Sequence, residues 1–396
     1  MDYPKEIGGL RWRKTSSLKP INVGEANARK ERGEEEEEEL LSPAARLFHE
    51  PNFNVYIIAI LGCKTRIDPD LAEAVGVFRI HHSLGDGVSL TSLLLACTRQ
   101  IADPDALPTI PTPRKKKEEG LLAGFWRAVV AVWTAAVLMW NTAVDVAAFL
   151  LTAIWVEDTK TPLKGPHGVE FLPRRFVWKS MSLDDFKLVK NAMNAKSLMY
   201  VNAGGSENDG EQNNSLPAGS IRLRSTLLVN VRPGPGIQAM ADMMEKDTEV
   251  KWGNWIGFIL LPFTIGIRDD PLDYVRQAKA VVDRKKRSLE ALFTFSIAEF
   301  VLKLFGTRRS NALSHRIITR TTLCFTNLVG PLEEIGYYGH PLAFLAPSSF
   351  NQPHMTVVLS VDESTIPDPH QLCDDIVHSL ELIKNAVISS HGLSQS

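Results

Sequence analysis

Cysteine is scarce in this 396-residue chain, and the few cysteines are scattered. The four, Cys63, Cys97, Cys324 and Cys373, form no CxxC pair. A disulfide framework or a structural zinc site therefore has no support in the sequence, and the pattern suits a reducing compartment. Residues 1–30 also lack the apolar core of a signal peptide.

Several motifs of catalysis and nucleotide binding are missing as well. The sequence contains no GxSxG elbow, P-loop, GxGxxG fingerprint or HExxH zinc motif. The formal net charge is −2, which gives no sign of a nucleic-acid-binding protein. Hydrophobic residues make up 44% of the chain, enough for two domains, or one large domain, with a substantial core.

Two polar segments are predicted to be disordered. Residues 1–40 end in six consecutive glutamates, Glu34–Glu39, and such a run repels itself and stays solvated. The second segment is "GSENDGEQNNS" at 205–215. Between the folded parts, residues 104–119 carry four prolines and then "RKKKEE", the composition of a linker.

The seven residues "HHSLGDG" (81–87) concentrate titratable side chains at one corner. "AVGVFRI" (74–80) predicts a buried strand that runs directly into His81. "VSLTSLLLACTRQI" (88–101) predicts a helix, because its apolar residues recur at helical spacing. The motif is therefore expected at a strand-to-helix corner, where side chains are held rigidly at the end of a sheet.

Three kinds of chemistry could use this corner. A histidine titrates near pH 6.5 and can take a proton from a hydroxyl, with Asp86 fixing either the backbone corner or the imidazole tautomer. Two histidines and a carboxylate could also bind a metal. Adjacent residues of an extended chain point to opposite faces, so His81 and His82 are not expected to share one. The residues alone favour a base and a merely packed histidine pair equally, and disfavour the metal site.

Residues 121–156 form a long apolar segment with two charges, Arg127 and Asp145. The uncharged run 128–144 would be about 26 Å long as a helix, slightly short of the ~30 Å hydrocarbon core. The polar residues recur at intervals of 7, 7, 4 and 7 and so form one helical stripe, with a tryptophan stripe beside it. The stripes are Arg127, Thr134, Asn141, Asp145 and Thr152, and Trp126, Trp133 and Trp140. This pattern favours a helix in the membrane interface over a membrane span or a core helix, which stay as alternatives.

Strands and helices recur through the rest of the chain. Strands are predicted at 54–60, 175–183, 225–236, 254–263, 321–331 and 356–365, and helices after residue 183, at 271–292 and at 368–387. The mixture predicts an α/β class with α+β mixed sheets. The basic cluster "DRKKRS" (283–288) is predicted to be a solvated helix face rather than a phosphate site.

The sequence resembles the plant branch of the wax ester synthase/diacylglycerol acyltransferase family. Its active-site motif, HHxxxDG, is matched in full by His81, His82, Asp86 and Gly87. Further matches in the same order extend over nearly everything after Leu40. They are "LSPAARLF", "DTKTPLKG", "LLVNVRPGPG", "GNWIGFILLPF", "TNLVGP", "GYYGHPLAFLAPSSF" and "VDESTIPDPHQLCDD".

The resemblance implies a two-domain, chloramphenicol acetyltransferase-like fold of CoA-dependent acyltransferases. It implies transfer of a fatty acyl group from acyl-CoA, a substrate rather than a cofactor, to a long-chain alcohol or diacylglycerol. His82 would be the general base, His81 would shape the site, Asp86 would hold the corner through a charged partner, and Gly87 would permit a tight backbone. No metal is implied. The expected partners are these substrates and a membrane surface, at the cytosolic face of the endoplasmic reticulum or the plasma membrane.

The chain departs from the family pattern at three places. Family segments are missing between Asp70 and Leu71, after Asn194, and between His354 and Met355. The expected domains are a tail at 1–40, a truncated acyltransferase domain at 41–110, a linker and membrane-associated helix at 111–165, and a second acyltransferase domain at 166–396. An alternative to the enzyme is a catalytically impaired, membrane-associated relative, with exposed apolar faces and sheet edges where segments are lost.

Overall fold

Strands and helices are interleaved along the computed structural model, which confirms the predicted mixed α/β class. The structure describes residues 43–51, 54–63, 75–110, 124–166, 168–169, 172–194, 221–233, 252–263, 268–327, 330–337, 340–346 and 354–391. The predicted tail at 1–40, the insert at 205–215, the "RKKK" run at 114–117 and the Asp70–Leu71 junction lie outside these residues. Residues 41–396 cluster as a single unit, and the boundaries predicted within it stay a prediction.

The elements alternate in the following order. The helices are α1 (Pro43–Leu47), α2 (Gly87–Cys97), α3 (Gly124–Ile154), α4 (Leu183–Ala192), α5 (Pro271–Lys285), α6 (Glu290–Arg320) and α7 (Pro369–His391). The strands are β1 (Tyr56–Cys63), β2 (Val75–His81), β3 (Arg99–Gln100), β4 (Arg175–Ser182), β5 (Leu223–Asn230), β6 (Ile256–Phe263), β7 (Leu323–Phe325), β8 (Ile335–Tyr337), β9 (His340–Ala346) and β10 (His354–Val361).

A five-stranded sheet of order β2-β1-β9-β8-β3 carries the histidine corner at its edge. β1 and β2 are antiparallel, and their register places Tyr56 opposite His81. The prediction that β2 is buried is wrong, because Val77 and Phe78 are exposed. The physical reason is the position of β2, which has β1 as its single strand neighbour in this sheet.

Two smaller sheets complete the described strands. In the three-stranded sheet β6-β5-β7, β5 is antiparallel to β6 and parallel to β7. In the two-stranded sheet, β4 pairs with β10. The largest apolar core lies between that pair and helices α4, α5 and α7, around the fully buried Val189, Val275, Ile383 and Val387.

The two-stranded sheet lies at one of the places where a family segment is missing. His354 and Met355 are consecutive residues of β10, opposite Ser182 and Met181 of β4. Phe176 and Trp178 of β4 are exposed, and β4 has β10 as its single strand neighbour among the described strands.

Helix α3 packs the second half of its polar stripe against the protein, because Asn141, Asp145 and Thr152 are buried, whereas Arg127 and Thr134 at its start are exposed. Asp145 is buried and accepts hydrogen bonds from Arg284 Nη2 (2.8 Å) and Lys285 Nζ (3.0 Å). Trp133 and Trp140 are 69% and 72% exposed. The alternative of a core helix is therefore wrong. Residues Trp126–Ile154 are also long and apolar enough to cross a membrane, so length and composition do not separate the interfacial helix from the span.

The basic cluster "DRKKRS" is divided between the interior and the surface. The prediction of a solvated face is wrong for Lys285, which is buried and donates to Glu290 Oε2 at 2.6 Å as well as to Asp145. Burial raises the pKa of Glu290, although the Lys285 ammonium opposes the shift. Burial would also raise the pKa of Asp145, but the hydrogen bond from Lys285 and its charge outweigh it, so that this pKa is lowered.

The predicted helix at 271–292 is two helices, because the chain turns after Lys285 to bring this ammonium between Asp145 and Glu290. The second of them, α6, continues to Arg320 and was not expected from the sequence beyond residue 292.

Candidate active site

The corner after β2 is built by a short 3-10 turn, His82–Leu84, followed by α2. Asp86 is the N-cap of α2, and its Oδ1 accepts a hydrogen bond from the Ser89 amide at 2.9 Å. Aspartate is favoured there because its side chain satisfies a helix-terminal N–H. Gly87 is the first residue of α2. The close backbone approach falls one residue before Asp86, at Gly85, where a Cβ would lie 2.8 Å from Ser89 Cβ.

Asp86 joins the corner to the three-stranded sheet through a buried ion pair. Arg232 Nη2 lies 3.0 Å from Asp86 Oδ2, and both side chains are 2% exposed. Asp86 Oδ2 also accepts a hydrogen bond from the Trp255 amide at 3.0 Å. Arg232 follows β5 and Trp255 precedes β6, so one carboxylate ties α2 to the ends of both strands. Of the two roles considered for Asp86, the contacts are those of the backbone corner.

The imidazole of His82 is held instead by Asn254. Asn254 Nδ2 donates to the backbone carbonyl of His82 at 3.0 Å, which orients the amide so that Oδ1 faces the ring. Asn254 Oδ1 lies 3.0 Å from His82 Nδ1. Because a carboxamide oxygen can only accept, this contact requires the proton on Nδ1. Nε2 is then left with a lone pair, the form in which histidine acts as a base.

The surroundings of His82 keep its ring neutral. The ring stacks on Phe48, with centroids 4.2 Å apart and planes 18° apart. Burial lowers the pKa of His82 below its ordinary value, and the smaller contributions of the Asn254 hydrogen bond and the Asp86 charge do not reverse the shift. A neutral imidazole with a free Nε2 can accept a proton from a hydroxyl.

His81 has a different environment, in which both ring nitrogens are used. Nδ1 accepts a hydrogen bond from the Ser83 amide at 3.3 Å and lies 2.7 Å from Ser83 Oγ. Nε2 lies 3.1 Å from Asn54 Oδ1, which places the proton on Nε2. His81 therefore carries the opposite tautomer from His82 and has no free lone pair for chemistry. Its contacts hold the 3-10 turn.

Within the described ranges, no group of three or more histidine, cysteine, aspartate or glutamate side chains could hold a metal ion. The His82 imidazole is the group of the corner whose geometry suits proton transfer.

Three contacts of the site were not singled out from the sequence: Arg232, Asn254 and Phe48. Each lies in a matched motif, "LLVNVRPGPG", "GNWIGFILLPF" and "LSPAARLF". Arg232 lies near the end of the predicted strand 225–236 and Asn254 at the start of the predicted strand 254–263, and a polar residue at a strand end is the same signal that drew attention to His81 and His82. Their contacts with Asp86 and His82 could not be predicted, because they are far from the corner in the sequence and local patterns do not show which strand ends meet.

Comparison with known proteins gives several similarities. The WS/DGAT C-terminal domain model matches residues 252–384, a range that includes Asn254. Wax ester synthase/diacylglycerol acyltransferase 11 of Arabidopsis thaliana is 44% identical, over 83% of this chain and 72% of the relative. Wax ester synthase/diacylglycerol acyltransferase 6 of the same plant is 35% identical, over 92% of this chain and 97% of the relative.

The second of these alignments shows residues that this chain lacks. It extends over 502 positions, more than the 396 residues of the chain. Among solved structures, the wax ester synthase/diacylglycerol acyltransferase from Marinobacter aquaeolei VT8 is 15% identical with a TM-score of 0.43, over 79% of this chain and 67% of that one.

We expect His82→Ala to lower acyl transfer to an alcohol by about 100-fold or more, the usual scale of a general-base contribution. His81→Ala should cost less, because the ring nitrogens of His81 are already used in holding the turn. Steady-state kcat with labelled acyl-CoA measures both variants. Both variants are made in a chain that has the missing family segments restored. Equal kcat there with and without His82→Ala would contradict the base role.

The environment of His82 also predicts a pH dependence. The base form is neutral and its pKa is lowered, so activity should persist below pH 6.5 and the acidic limb of kcat/KM should lie below that value. Asn254→Asp places a carboxylate beside Nδ1, which favours the imidazolium and should move the limb to higher pH. Asn254→Ala removes the hydrogen bond without adding charge and should not move the limb upward. A limb that stays in place in Asn254→Asp would show that Asn254 does not contact the catalytic imidazole.

Proposed function

The chain belongs to the wax ester synthase/diacylglycerol acyltransferase family, and we propose that it transfers a fatty acyl group from acyl-CoA to the hydroxyl of a long-chain alcohol or of diacylglycerol. The observation that carries the proposal is the orientation of His82. Asn254 holds Nδ1–H, burial lowers the pKa of the ring, and Nε2, which has no hydrogen-bond partner among the described residues, can accept a proton.

The reaction needs one base and correct positioning. His82 Nε2 accepts the hydroxyl proton of the acceptor while its oxygen attacks the thioester carbonyl. An ester C–O bond forms, the thioester C–S bond breaks, and the proton passes to the sulfur, so that CoA leaves as the free thiol. Transfer from a bound thioester depends strongly on geometry, and a displacement of about 1 Å can cost 100-fold. The Asp86–Arg232 pair supports that geometry because it fixes the turn bearing His82.

The fatty acyl chain and the acceptor, a long-chain alcohol or diacylglycerol, are hydrophobic, and α3 supports a location at a membrane. The buried polar residues Asn141, Asp145 and Thr152 dock the helix, and its tryptophans face outward, which supports an interfacial helix. We place the protein on the cytosolic face of the endoplasmic reticulum or the plasma membrane. The proposed product is a wax ester when the acceptor is a long-chain alcohol and a triacylglycerol when the acceptor is diacylglycerol.

A second candidate, an impaired transferase, is favoured by a specific observation. The alignment with Arabidopsis wax ester synthase/diacylglycerol acyltransferase 6 is longer than this chain, and β4 and β10 form a sheet of two strands with exposed aromatic residues. The contacts of the catalytic corner are present, and we infer that the residues absent relative to that protein would help to position the two substrates. Low turnover with an intact base is the expected result.

We expect the chain to yield little wax ester or triacylglycerol, and a chain with restored segments to yield at least ten times more. Labelled palmitoyl-CoA is incubated with hexadecanol or diacylglycerol and membranes from cells that make either version, and the lipids are separated. The restored chain carries the corresponding segments of the Arabidopsis relative after Asp70 and after Asn194.

His82→Ala in the restored chain is the matched control, because it removes the base and keeps the restored segments. No product from the restored chain would overturn the transferase proposal. Robust product from the unrestored chain would show that the missing segments are dispensable. Recovery of either protein in the soluble fraction would contradict the membrane location.

A further inference from the structure

Helix α6 bends sharply at an exposed, apolar point. Helical geometry breaks at Gly306, where φ is 78° and ψ is 178°. A positive φ of this size favours glycine. A Cβ at Gly306 would meet nothing within 4 Å, so the bend faces open space. Side chains from both sides of the break, Phe293 and Leu313 among them, pack into one cluster around Phe149 of α3. The break is therefore the tip of a folded-back helix, which we call the α6 elbow (Phe300–Arg309).

The elbow exposes large apolar side chains. Phe300, Leu304 and Phe305 are 56%, 60% and 47% exposed. Phe300 and Leu304 are four residues apart and thus share one face. Leu289 and Leu292, at the start of the helix, are exposed as well. An exposed apolar patch of this kind marks a surface that binds something.

The start of α6 packs against α3. The amide of Leu289 donates to Thr142 Oγ1 of α3 at 3.0 Å. Phe293 meets Phe149 edge to face, with ring centroids 6.4 Å apart. The two helices therefore lie side by side.

The charges around the elbow fit an anionic surface. Lys303, Arg308 and Arg309 are exposed, and the Arg309 guanidinium lies 5.5 Å from the Phe305 ring centroid. The acidic neighbours are Glu299, whose carboxylate is 3.6 Å from Lys303 Nζ, and Glu50, which is held by a hydrogen bond from Thr307. Basic residues beside exposed aromatic and leucine side chains are the pattern of elements that lie in the headgroup region of anionic bilayers.

The elbow is also close to the catalytic imidazole. Thr307 bonds Glu50, which follows α1, and two residues before Glu50 the ring of Phe48 stacks on His82. One short segment, Phe48–Glu50, thus contacts both the elbow and the base.

We propose that the α6 elbow is a second membrane-contacting surface, which rests on anionic lipid headgroups beside the route by which a bilayer-dissolved acceptor reaches His82. The membrane contact stands on the elbow's own residues. The acceptor route rests on the proposed transferase function.

Vesicle sedimentation of the purified full chain tests the contact. The probes are phosphatidylcholine vesicles with and without 30% (roughly the anionic share of a cytoplasmic leaflet) phosphatidylserine. Phe300→Ser combined with Leu304→Ser should lower the partition constant about tenfold, because two half-exposed side chains lose their apolar burial. Arg308→Gln combined with Arg309→Gln should lower binding to the anionic vesicles about tenfold and leave binding to the neutral ones nearly unchanged. Leu172→Ser combined with Leu332→Ser, at exposed leucines outside α3 and α6, is the matched control and should bind as the parent does.

Partition constants equal to the parent's in both elbow variants would overturn the proposal. So would a change from dimer to monomer on gel filtration in Phe300→Ser/Leu304→Ser without loss of vesicle binding, which would make the elbow a self-association surface. Loss of folding is checked by the circular dichroism melt. The single variant Leu304→Gln, with an expected severalfold loss, is the fallback if the double variant melts early.

Acceptor delivery is measured separately in the restored chain. Phe300→Ser/Leu304→Ser should slow acyl transfer to vesicle-embedded diacylglycerol about tenfold and leave transfer to hexanol in free solution unchanged. Equal loss with both acceptors would contradict the route, because it would place the elbow in the general fold of the site. A chain inactive with both acceptors in the parent form would refute the transferase function, and the vesicle partition constants would still decide the membrane contact.

Discussion

Asp86 and Arg232 meet in a buried ion pair that joins two parts of the chain 146 residues apart. Breaking a buried pair by removing one partner typically costs about 3–5 kcal/mol, because the other charge is left without a partner. Asp86 also caps α2 and accepts from the Trp255 amide, the residue next to Asn254. The pair therefore sets where Asn254 stands, and Asn254 decides which nitrogen of His82 carries the proton.

The two adjacent histidines have different roles because they have different hydrogen-bond partners. His81 is fixed with its proton on Nε2 by Ser83 and Asn54, and His82 with its proton on Nδ1 by Asn254. Identical side chains thus become a structural residue and a candidate base. Helix α3 also depends on its partners. The charge of Asp145 would be costly in a bilayer, but it is paired with Lys285 inside the protein, and the exposed apolar face of α3 is left for the membrane contact that we propose.

Much of the local structure could be predicted from residues near one another in the sequence. The strand-to-helix corner, the helix over 124–154 and its polar stripe all follow from local periodicity, which reports on one element at a time. Arg232, Asn254 and the fate of Lys285 could not be predicted, because each depends on which elements meet. The prediction that β2 is buried was wrong for the same reason, because a central strand and an edge strand can have the same apolar sequence pattern.

Asn254, which lies just before β6 of the three-stranded sheet, holds His82 as the Nδ1–H tautomer and leaves Nε2 unprotonated. The ¹⁵N chemical shifts of the His82 ring, assigned by comparison with His82→Gln, measure this directly. We expect a protonated Nδ1 and an unprotonated Nε2 at neutral pH, and a mixture of tautomers in Arg232→Gln, where Asn254 is no longer positioned. A protonated Nε2 in the parent chain, or an imidazolium at neutral pH, would contradict the account.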